Sequence, residues 1–355
     1  MTRRAAWPVG PGADSPSPVP AATATLTVLL PCHNEASAIA SVIADYRAVF
    51  PEARILVIDN ASDDATAVIA ASLGVEVITE PRKGKARGVL TALPHVDSDL
   101  LLMADGDATY PAAGGRLLVE EWGRTGADMI TGLRQAQDGN AAFRPLHQRG
   151  SRVFESIVRA LFGAQTHDVF SGLRLFTRRF YCHVPILHDG FELEMELTAQ
   201  AIDKGFRVAE VPVPFGARWD GTVSKLSTVR DGVRILRALF VLHRDHKPMR
   251  YFGVLATGAF VAGLVAGWFP VVEFIRTGQV LRLPLAVLAA SFEIIAVVTF
   301  YSGVILESGL RANREAFQIT LRASDAAHHR HVAAADRPIQ PPAVGDPRPP
   351  GAAGA

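Results

Sequence analysis

The chain is organised around the stretch LLLMADGDATYP, residues 100–111. An apolar run of strand length ends there at two carboxylates, Asp105 and Asp107, which Gly106 separates. A loop beyond a strand can direct both acids into one cleft, and Gly106 leaves room for a phosphate to approach the backbone. Mg²⁺ and Mn²⁺ prefer oxygen ligands and bridge carboxylates to substrate phosphates. The stretch therefore predicts a metal-assisted phosphate site, with an ordinary acidic turn as the alternative.

Short apolar runs alternate with helical stretches on both sides of this segment. The pattern βαβαβαβ predicts a mostly parallel α/β sheet with helices on both faces. The predicted strands are 26–30, 54–58, 75–78 and 100–103, and the predicted helices between them are 35–49, 63–73 and 86–93.

Polar clusters follow three of these strands, at residues 31–35, 59–64 and 105–107. Ligands of such sheets bind beyond the carboxyl ends of the strands, so the clusters should converge. Helix capping is the alternative for Asn34 and is expected of Asp63, but it does not account for Glu35 or Asp59. A basic glycine-containing loop at residues 82–88 opens a helix and suits a diphosphate neighbour, although an exposed loop is the alternative.

The second half of the predicted domain is less regular. Strands are predicted at 128–132 and 205–211, helices at 144–162 and 191–204, and a turn within extended structure at 168–176. A polar loop then extends to residue 225.

The overall composition narrows the classes of protein. The 355 residues carry a formal net charge of +1, which excludes a general nucleic-acid binder. Cys32 and Cys182 fit no zinc or redox spacing and indicate reduced thiols in a cytoplasmic compartment. Residues 1–24, rich in Pro, Ala, Gly and Ser, predict a disordered tail, and no signal peptide is expected there because no apolar h-region follows Arg3 and Arg4.

A basic amphipathic helix is predicted at residues 226–248, either on an anionic membrane surface or packed on the domain. Two apolar stretches follow, Tyr251–Ile275 and Leu283–Leu306, each long enough to cross a hydrocarbon core of about 30 Å. They predict a transmembrane hairpin within residues 249–308. Glu293 in mid-span is expected to face the partner helix or another copy of the chain.

Basic residues lie outside both ends of the hairpin, whereas the short connector 276–282 holds two arginines. The positive-inside rule therefore places the large domain and both termini on the cytoplasmic side of the plasma membrane. Residues 309–355 are expected to form a cytoplasmic, largely disordered tail.

Six short motifs occur in the order typical of the family 2 glycosyltransferases, which the chain resembles from about Thr25 to Lys225. The dolichol-phosphate mannosyltransferase-like, polyprenyl-phosphate branch is the most similar. The motifs are P-x-x-N-E at 31–35, V-D-D-x-S-x-D-x-T at 58–66, D-x-D at 105–107, D-x-x-S-G-x-R at 168–174, E-x-P at 210–212 and R-x-x-G-x-x-S-K at 218–225. Two departures are Asn60, which replaces the second Asp, and Thr109, where many relatives carry Gln.

The resemblance implies a GT-A-like domain at residues 25–225, a UDP- or GDP-type sugar donor and a role in cell-envelope glycan synthesis. Asp105 and Asp107 would hold the diphosphate through Mg²⁺ or Mn²⁺. The residues expected at the donor are Pro31, His33, Glu35, Asp59, Lys83, Lys85, Asp105 and Gly106.

The expected acceptor is a polyprenyl phosphate, which is already anionic because the second pKa of a phosphate monoester is about 6. Such a nucleophile needs positive charge rather than a strong base, and direct displacement inverts the anomeric carbon. The residues expected to hold it are Arg134, Arg149, Arg218, Ser224 and Lys225. If the acceptor is instead a lipid or glycan hydroxyl, Asp168, Glu194 or Glu196 is the candidate base. A non-catalytic membrane scaffold is the third reading.

Overall fold

The computed structural model describes residues 24–136, 167–186, 193–216 and 247–335. Its strands are β1 (Leu26–Cys32), β2 (Arg54–Asn60), β3 (Glu76–Glu80), β4 (Leu100–Met103), β5 (Met129–Ala136), β6 (Arg174–Thr177) and β7 (Val208–Phe215). Its helices are α1 (Ile39–Val49), α2 (Thr66–Ser72), α3 (Lys85–Ala92), α4 (Ala112–Thr125), α5 (Arg178–Tyr181), α6 (Leu193–Asp203), α7 (Pro248–Thr277) and α8 (Leu283–Ala335), with a 3₁₀ turn at Leu93–His95.

Strand β4 is buried on both faces, which explains its unbroken apolar sequence. Leu100 and Leu102 pack with α1 and α4, whereas Leu101 and Met103 pack with α3 and α5. Burial of each such side chain contributes about 1.5–3 kcal/mol. The predicted fold class, a mostly parallel sheet with helices on both faces and two apolar helices, is confirmed.

The strand order is β3-β2-β1-β4-β6-β5-β7, and β6 is antiparallel to both of its neighbours. The sequence predicted only a turn within extended structure there. Strand β6 has four residues and begins at the fully buried Arg174, so its pattern does not resemble an apolar strand. All other neighbouring pairs of strands in the sheet are parallel.

Helices α7 and α8 pack against each other and leave most of their large apolar side chains exposed. Both are long and apolar enough to cross a membrane, by length and composition alone. Glu293 lies against Gly263, so it faces the partner helix, which was one of its two expected positions. Gly303 allows a second close approach, since a Cβ there would lie 2.9 Å from Cβ of Phe252.

Helix α8 continues to Ala335 where the sequence predicted a disordered tail from residue 309. The expectation is wrong for 309–335 because this segment has a domain surface to pack on. Leu321 joins the core cluster of Phe180 and Phe206, and Phe317 packs on that cluster. Gln318 donates to the carbonyl of Lys204 at 2.7 Å. Ion pairs flank these contacts, Arg314 with Asp203 and Arg179 with Asp325.

Three other predictions concern segments outside the described residues. They are the helix at 144–162, the tail at 1–24 apart from its last residue, and the amphipathic helix at 226–248 apart from its last two residues.

Candidate active site

The turns after β1, β2 and β4 carry backbone strain. Asn34, Ala61 and Ala108 have φ angles of 57°, 53° and 61°, and they are the non-glycine residues with positive φ in the part of the chain that the structure describes. This conformation is costly for residues with a Cβ and concentrates at functional sites. Because β1, β2 and β4 are adjacent and parallel, the three strained turns share one edge of the sheet, as predicted.

Side chains of the first two turns hold each other rather than a helix. Asn34 N–H donates to Ser62 Oγ at 3.0 Å, and Asp63 N–H donates to Asn34 Oδ1 at 2.8 Å. The N-cap positions of α1 and α2 are Ala38 and Ala65. The capping alternative for Asn34 and Asp63 is therefore wrong, since both residues cross-link loops at the sheet edge.

Asp59 is the buried acid of this edge. It is 5% exposed, and its Oδ1 has no hydrogen-bond partner among the described residues. Burying such an oxygen without a partner is costly, so the geometry favours a ligand that donates a hydrogen bond to it. Cys32 is the register partner of Asp59, which brings the predicted Pro31, His33 and Glu35 to the same edge. Their contacts with a nucleotide remain a prediction.

Asn60 shapes the basic loop. Its Nδ2 donates to the carbonyl of Arg82 at 2.7 Å, and its Oδ1 accepts from Gly84 N–H at 2.7 Å. The amide donates and accepts at once, which a carboxylate cannot do. The departure of Asn60 from the family pattern thus has a structural cause, the path of the loop before α3.

The two acids after β4 are fixed differently. Asp107 Oδ1 accepts hydrogen bonds from the Thr109 backbone N–H at 3.2 Å and from its Oγ1 at 2.6 Å. The expected reason for Gly106 is wrong, because the position that its Cβ would take is filled by Cys32 Sγ rather than left open for a phosphate. Gly106 therefore permits close packing of the β4 loop on β1.

Asp105 and Asp107 fit a divalent cation of the type that a substrate completes. No group of three or more His, Cys, Asp and Glu side chains that could hold a metal exists within the described ranges. Mg²⁺ characteristically takes one or two carboxylates and fills its other positions with phosphate oxygens and water. Asp105 and Asp107 can supply these carboxylates and leave the other positions of the cation to phosphate oxygens and water.

The two predicted lysines of the basic loop point to different partners. Lys83 is exposed, with Nζ 3.7 Å from Asp63. Lys85 Nζ donates to Asp105 Oδ1 at 2.5 Å and to Glu194 Oε1 at 2.6 Å. Burial alone lowers the pKa of Lys85, but the charges of Asp105 and Glu194 raise it well above its ordinary value. Lys85 is therefore a charged ammonium inside the acidic site.

The D-x-x-S-G-x-R motif supports Asp105, a role that the sequence analysis did not assign. Gly172 lies so close to the Asp105 carboxylate that any Cβ would overlap it. Gly172 N–H donates to Tyr110 Oη at 2.9 Å, and burial raises the pKa of Tyr110 to about 12, so this hydroxyl stays protonated. Arg174 holds the loop by donating to the carbonyls of Val169 and Ser171. The consecutive Ser-Gly of the motif was the available signal.

Arg134 and Asp168 form one bidentate ion pair. Arg134 Nε and Nη2 donate to Asp168 Oδ2 and Oδ1 at 2.7 and 2.8 Å, and the guanidinium lies 5.5 Å from the ring centroid of Phe215. Both predicted residues are thus present at the end of β5, each engaged with the other. The remaining predicted acceptor residues, Arg149, Arg218, Ser224 and Lys225, lie outside the described residues.

Comparison with known proteins identifies the class. The sequence model of the protein family "glycosyl transferase family 2" matches residues 27–184. Glycosyltransferase AglJ of Haloferax volcanii is 31% identical over 273 residues, covering 77% of this chain and 86% of the relative. The chain belongs to glycosyl transferase family 2, and it is an enzyme, a glycosyltransferase.

A second relative and a solved structure are also similar to this chain, the structure in its fold alone. The dolichyl-phosphate hexose transferase of Haloferax volcanii is 30% identical over 220 residues, covering 60% of this chain and 92% of the relative. Glucosyl-3-phosphoglycerate synthase of Mycobacterium tuberculosis, solved with Mn²⁺ and UDP-glucose, has a similar fold with a TM-score of 0.51 at 18% identity, covering 63% of this chain and 79% of that chain.

Proposed function

We propose that this protein is a membrane-anchored, metal-dependent, inverting glycosyltransferase that moves a hexose from a nucleotide-sugar to a polyprenyl phosphate on the cytoplasmic face. The observation that carries the donor half is the shared edge at which Asp105 and Asp107 lie with the buried Asp59, whose Oδ1 has no partner among the described residues. A hydrogen-bond donor for Asp59 and an anion for the acidic pair's metal are both parts of a nucleoside diphosphate.

The metal proposal rests on the two acids. Asp105 and Asp107 would hold Mg²⁺ or Mn²⁺, which supplies positive charge against the diphosphate leaving group. Thr109 fixes Asp107 before any ligand arrives, and Gly172 fixes the position of Asp105. This preorganisation lowers the cost of assembling the site.

The transfer of the sugar needs no general base. An oxygen of the acceptor phosphate forms the new bond to C1 of the sugar. The bond between C1 and the donor's β-phosphate oxygen breaks, and its electron pair leaves with the nucleoside diphosphate. No proton has to be removed, because the attacking oxygen is already ionised near neutral pH.

The contacts of Asp168 and Glu194, two of the three candidate bases, support a phosphate acceptor over a hydroxyl, while the third, Glu196, is buried in α6. Both oxygens of Asp168 accept from Arg134, and Glu194 Oε1 accepts from Lys85. A general base must lie within hydrogen-bond reach of the acceptor's proton, whereas these two carboxylates are held by cations. The relative whose printed name is dolichyl-phosphate hexose transferase points to the same acceptor class.

The membrane proposal rests on α7 and α8, whose apolar faces have no protein cover in the described part of the chain. Cysteines introduced into the 278–282 connector and into the region beyond 310, in a Cys182→Ser background, should react with an impermeant reagent from opposite sides. External labelling of the connector alone is the expected result. If the external reagent labelled only the region beyond 310, the proposed orientation would be rejected in favour of the opposite one.

The function is tested with membranes that contain the protein, radiolabelled UDP- and GDP-hexoses and added polyprenyl phosphate. We expect one donor to give a metal-dependent, mild-acid-labile lipid product. Membranes with the Asp107→Asn variant are the matched control. A product formed at full rate in excess chelator would reject metal dependence, and absence of any lipid product with every donor would reject the acceptor class.

A further inference from the structure

One ammonium joins two carboxylates that the chain brings from distant positions. Lys85 begins α3, Asp105 follows β4 and Glu194 lies in α6, yet Nζ of Lys85 is 2.5 Å from Asp105 and 2.6 Å from Glu194. The side chains of Lys85, Asp105 and Glu194 are 23%, 31% and 7% exposed. The three charges are therefore largely shielded from water, where their mutual attraction is strong.

The charge balance of this cluster is negative. Asp105 and Glu194 bring two carboxylates against one ammonium, which leaves −1, and Asp107 adds a further carboxylate two residues after Asp105. A divalent cation at Asp105 must compete with Lys85 for Oδ1. A cation that arrives with a diphosphate meets less competition, because the diphosphate offers Lys85 another anionic partner.

On the basis of the proposed function, we propose that Lys85 is an internal counter-cation and Glu194 the positioning residue that holds it at Asp105. Together they keep free divalent metal weakly bound until a nucleoside diphosphate arrives and takes Lys85 as its partner. Metal and donor binding are coupled through one side chain.

The surroundings of Glu194 favour this positioning role over a role as base. The carbonyl of Glu194 accepts from Thr198 Oγ1 at 2.8 Å, and that hydroxyl accepts from Arg174 Nη1 at 2.9 Å. Arg174 is fully buried and also holds the loop that contains Gly172. One chain of hydrogen bonds thus fixes α6 and the loop beside Asp105, so Glu194 presents its carboxylate to Lys85 from a fixed backbone.

The test compares Mn²⁺ binding to detergent-solubilised full-length variants, read from the electron paramagnetic resonance signal of free Mn²⁺. Lys85→Met makes the cluster one charge more negative, and Glu194→Gln makes it one charge less negative. Without nucleotide, we expect Lys85→Met to bind Mn²⁺ about tenfold more tightly than wild type, because no ammonium then competes for Oδ1 of Asp105. A tenfold change in affinity corresponds to about 1.4 kcal/mol. Glu194→Gln should bind more weakly than wild type. Lys85→Arg should stay near wild type.

Lys83→Met is the matched control for the nucleotide-free measurement, since it removes a cation from the same loop without touching Asp105. Saturating UDP or GDP should then tighten Mn²⁺ binding to wild type within the usual coupling range of about 5–150-fold. The same nucleotide should tighten binding to Lys85→Met by less than about threefold, because the coupling side chain is gone.

Two outcomes would overturn the inference. One is nucleotide-free Mn²⁺ affinity in Lys85→Met that is no higher than in wild type. The other is loss of kcat in Glu194→Gln with unchanged Mn²⁺ affinity and unchanged nucleotide coupling, which is the signature of a base. If neither UDP nor GDP tightens Mn²⁺ binding to wild type, the coupling through Lys85 fails together with the donor part of the proposed function. The order of the nucleotide-free affinities still decides whether Lys85 is a counter-cation.

Discussion

The two edges of the central sheet are built in opposite ways. At the edge where β1, β2 and β4 end, three non-glycine residues have positive φ, and the buried Asp59 Oδ1 lacks a partner among the described residues. At the edge where β5 and β7 begin, Phe206, Phe317 and Leu321 pack together, and ion pairs flank them. The first edge combines backbone strain with a buried carboxylate, and the second combines apolar packing with ion pairs.

The difference separates function from stability. Strain and buried charge are tolerated where a ligand completes them, and the free energy of unfolding comes from regions that are packed without a ligand. Substitutions at the first edge should therefore lower transfer while the protein stays folded. Substitutions at the second edge should lower stability while the folded fraction keeps its activity.

The largest effect is expected for Asp107→Asn. The variant keeps an oxygen for the hydrogen bonds from Thr109 but loses the charge, so the fold should persist. Loss of a charged metal ligand removes several kcal/mol of transition-state stabilisation, which is about a thousandfold in kcat/KM. Steady-state transfer and thermal unfolding, measured on the same preparation, check both halves. An active Asp107→Asn, or an unfolded one, would contradict the separation.

Leu321→Ala tests the contribution of the other edge to stability. Leu321 is 1% exposed in the cluster that joins α8 to the domain. Truncation of a buried Leu costs about 2–5 kcal/mol in the free energy of unfolding. Ile319→Ala is the control on the same helix, since Ile319 is 68% exposed and its loss should cost less than about 0.5 kcal/mol. Equal unfolding temperatures in the two variants would mean that α8 does not stabilise the domain.

Gly172→Ala should lower transfer by about 10- to 100-fold, because small misplacements of catalytic groups have effects of that size. The added methyl overlaps the Asp105 carboxylate and must displace it. Gly309→Ala is the matched control, since the added Cβ would have no atom of another described residue within 4 Å, outside the adjoining backbone of its own helix. Saturation curves for Mn²⁺ should show the Gly172→Ala defect in metal affinity, and a normal curve would remove Gly172 from the site.

The smallest effect is expected for Asp168→Asn. A base contributes about 10²–10⁴ in rate, so a variant that keeps more than about a tenth of wild-type kcat is inconsistent with that role. The Asn side chain still accepts from Arg134, which limits the structural change. Transfer measured at saturating donor over a range of acceptor concentrations decides the point. A dead but folded variant would favour the hydroxyl-acceptor alternative.

The sequence predicted the first edge better than the second for a physical reason. Leu100–Met103 is apolar on both faces and the acids follow it directly, so the run identified strand and site together. The helix beyond residue 309 is rich in charged side chains and has no continuous apolar face. Its docking depends on Phe317 and Leu321, whose i, i+4 spacing was the available signal.

Long-range ion pairs were not accessible from sequence patterns. Lys85 and Glu194 are 109 positions apart, and each has several charged neighbours along the chain. Only the antiparallel insertion of β6 and the packing of α6 bring Glu194 to Asp105. The polar residues of the site could therefore be named in advance, whereas their pairing could not.

Transfer of the sugar to an ionised phosphate at the end of β4 distinguishes the proposed reaction from transfer to a hydroxyl. The direct measurement offers the purified full-length enzyme its nucleotide-sugar with either polyprenyl phosphate or the same polyprenol lacking the phosphate, and follows the lipid product by mass. We expect a glycosylated lipid that retains one phosphate, formed from polyprenyl phosphate and not from polyprenol. Glycosylation of the free polyprenol at an equal or higher rate would contradict it.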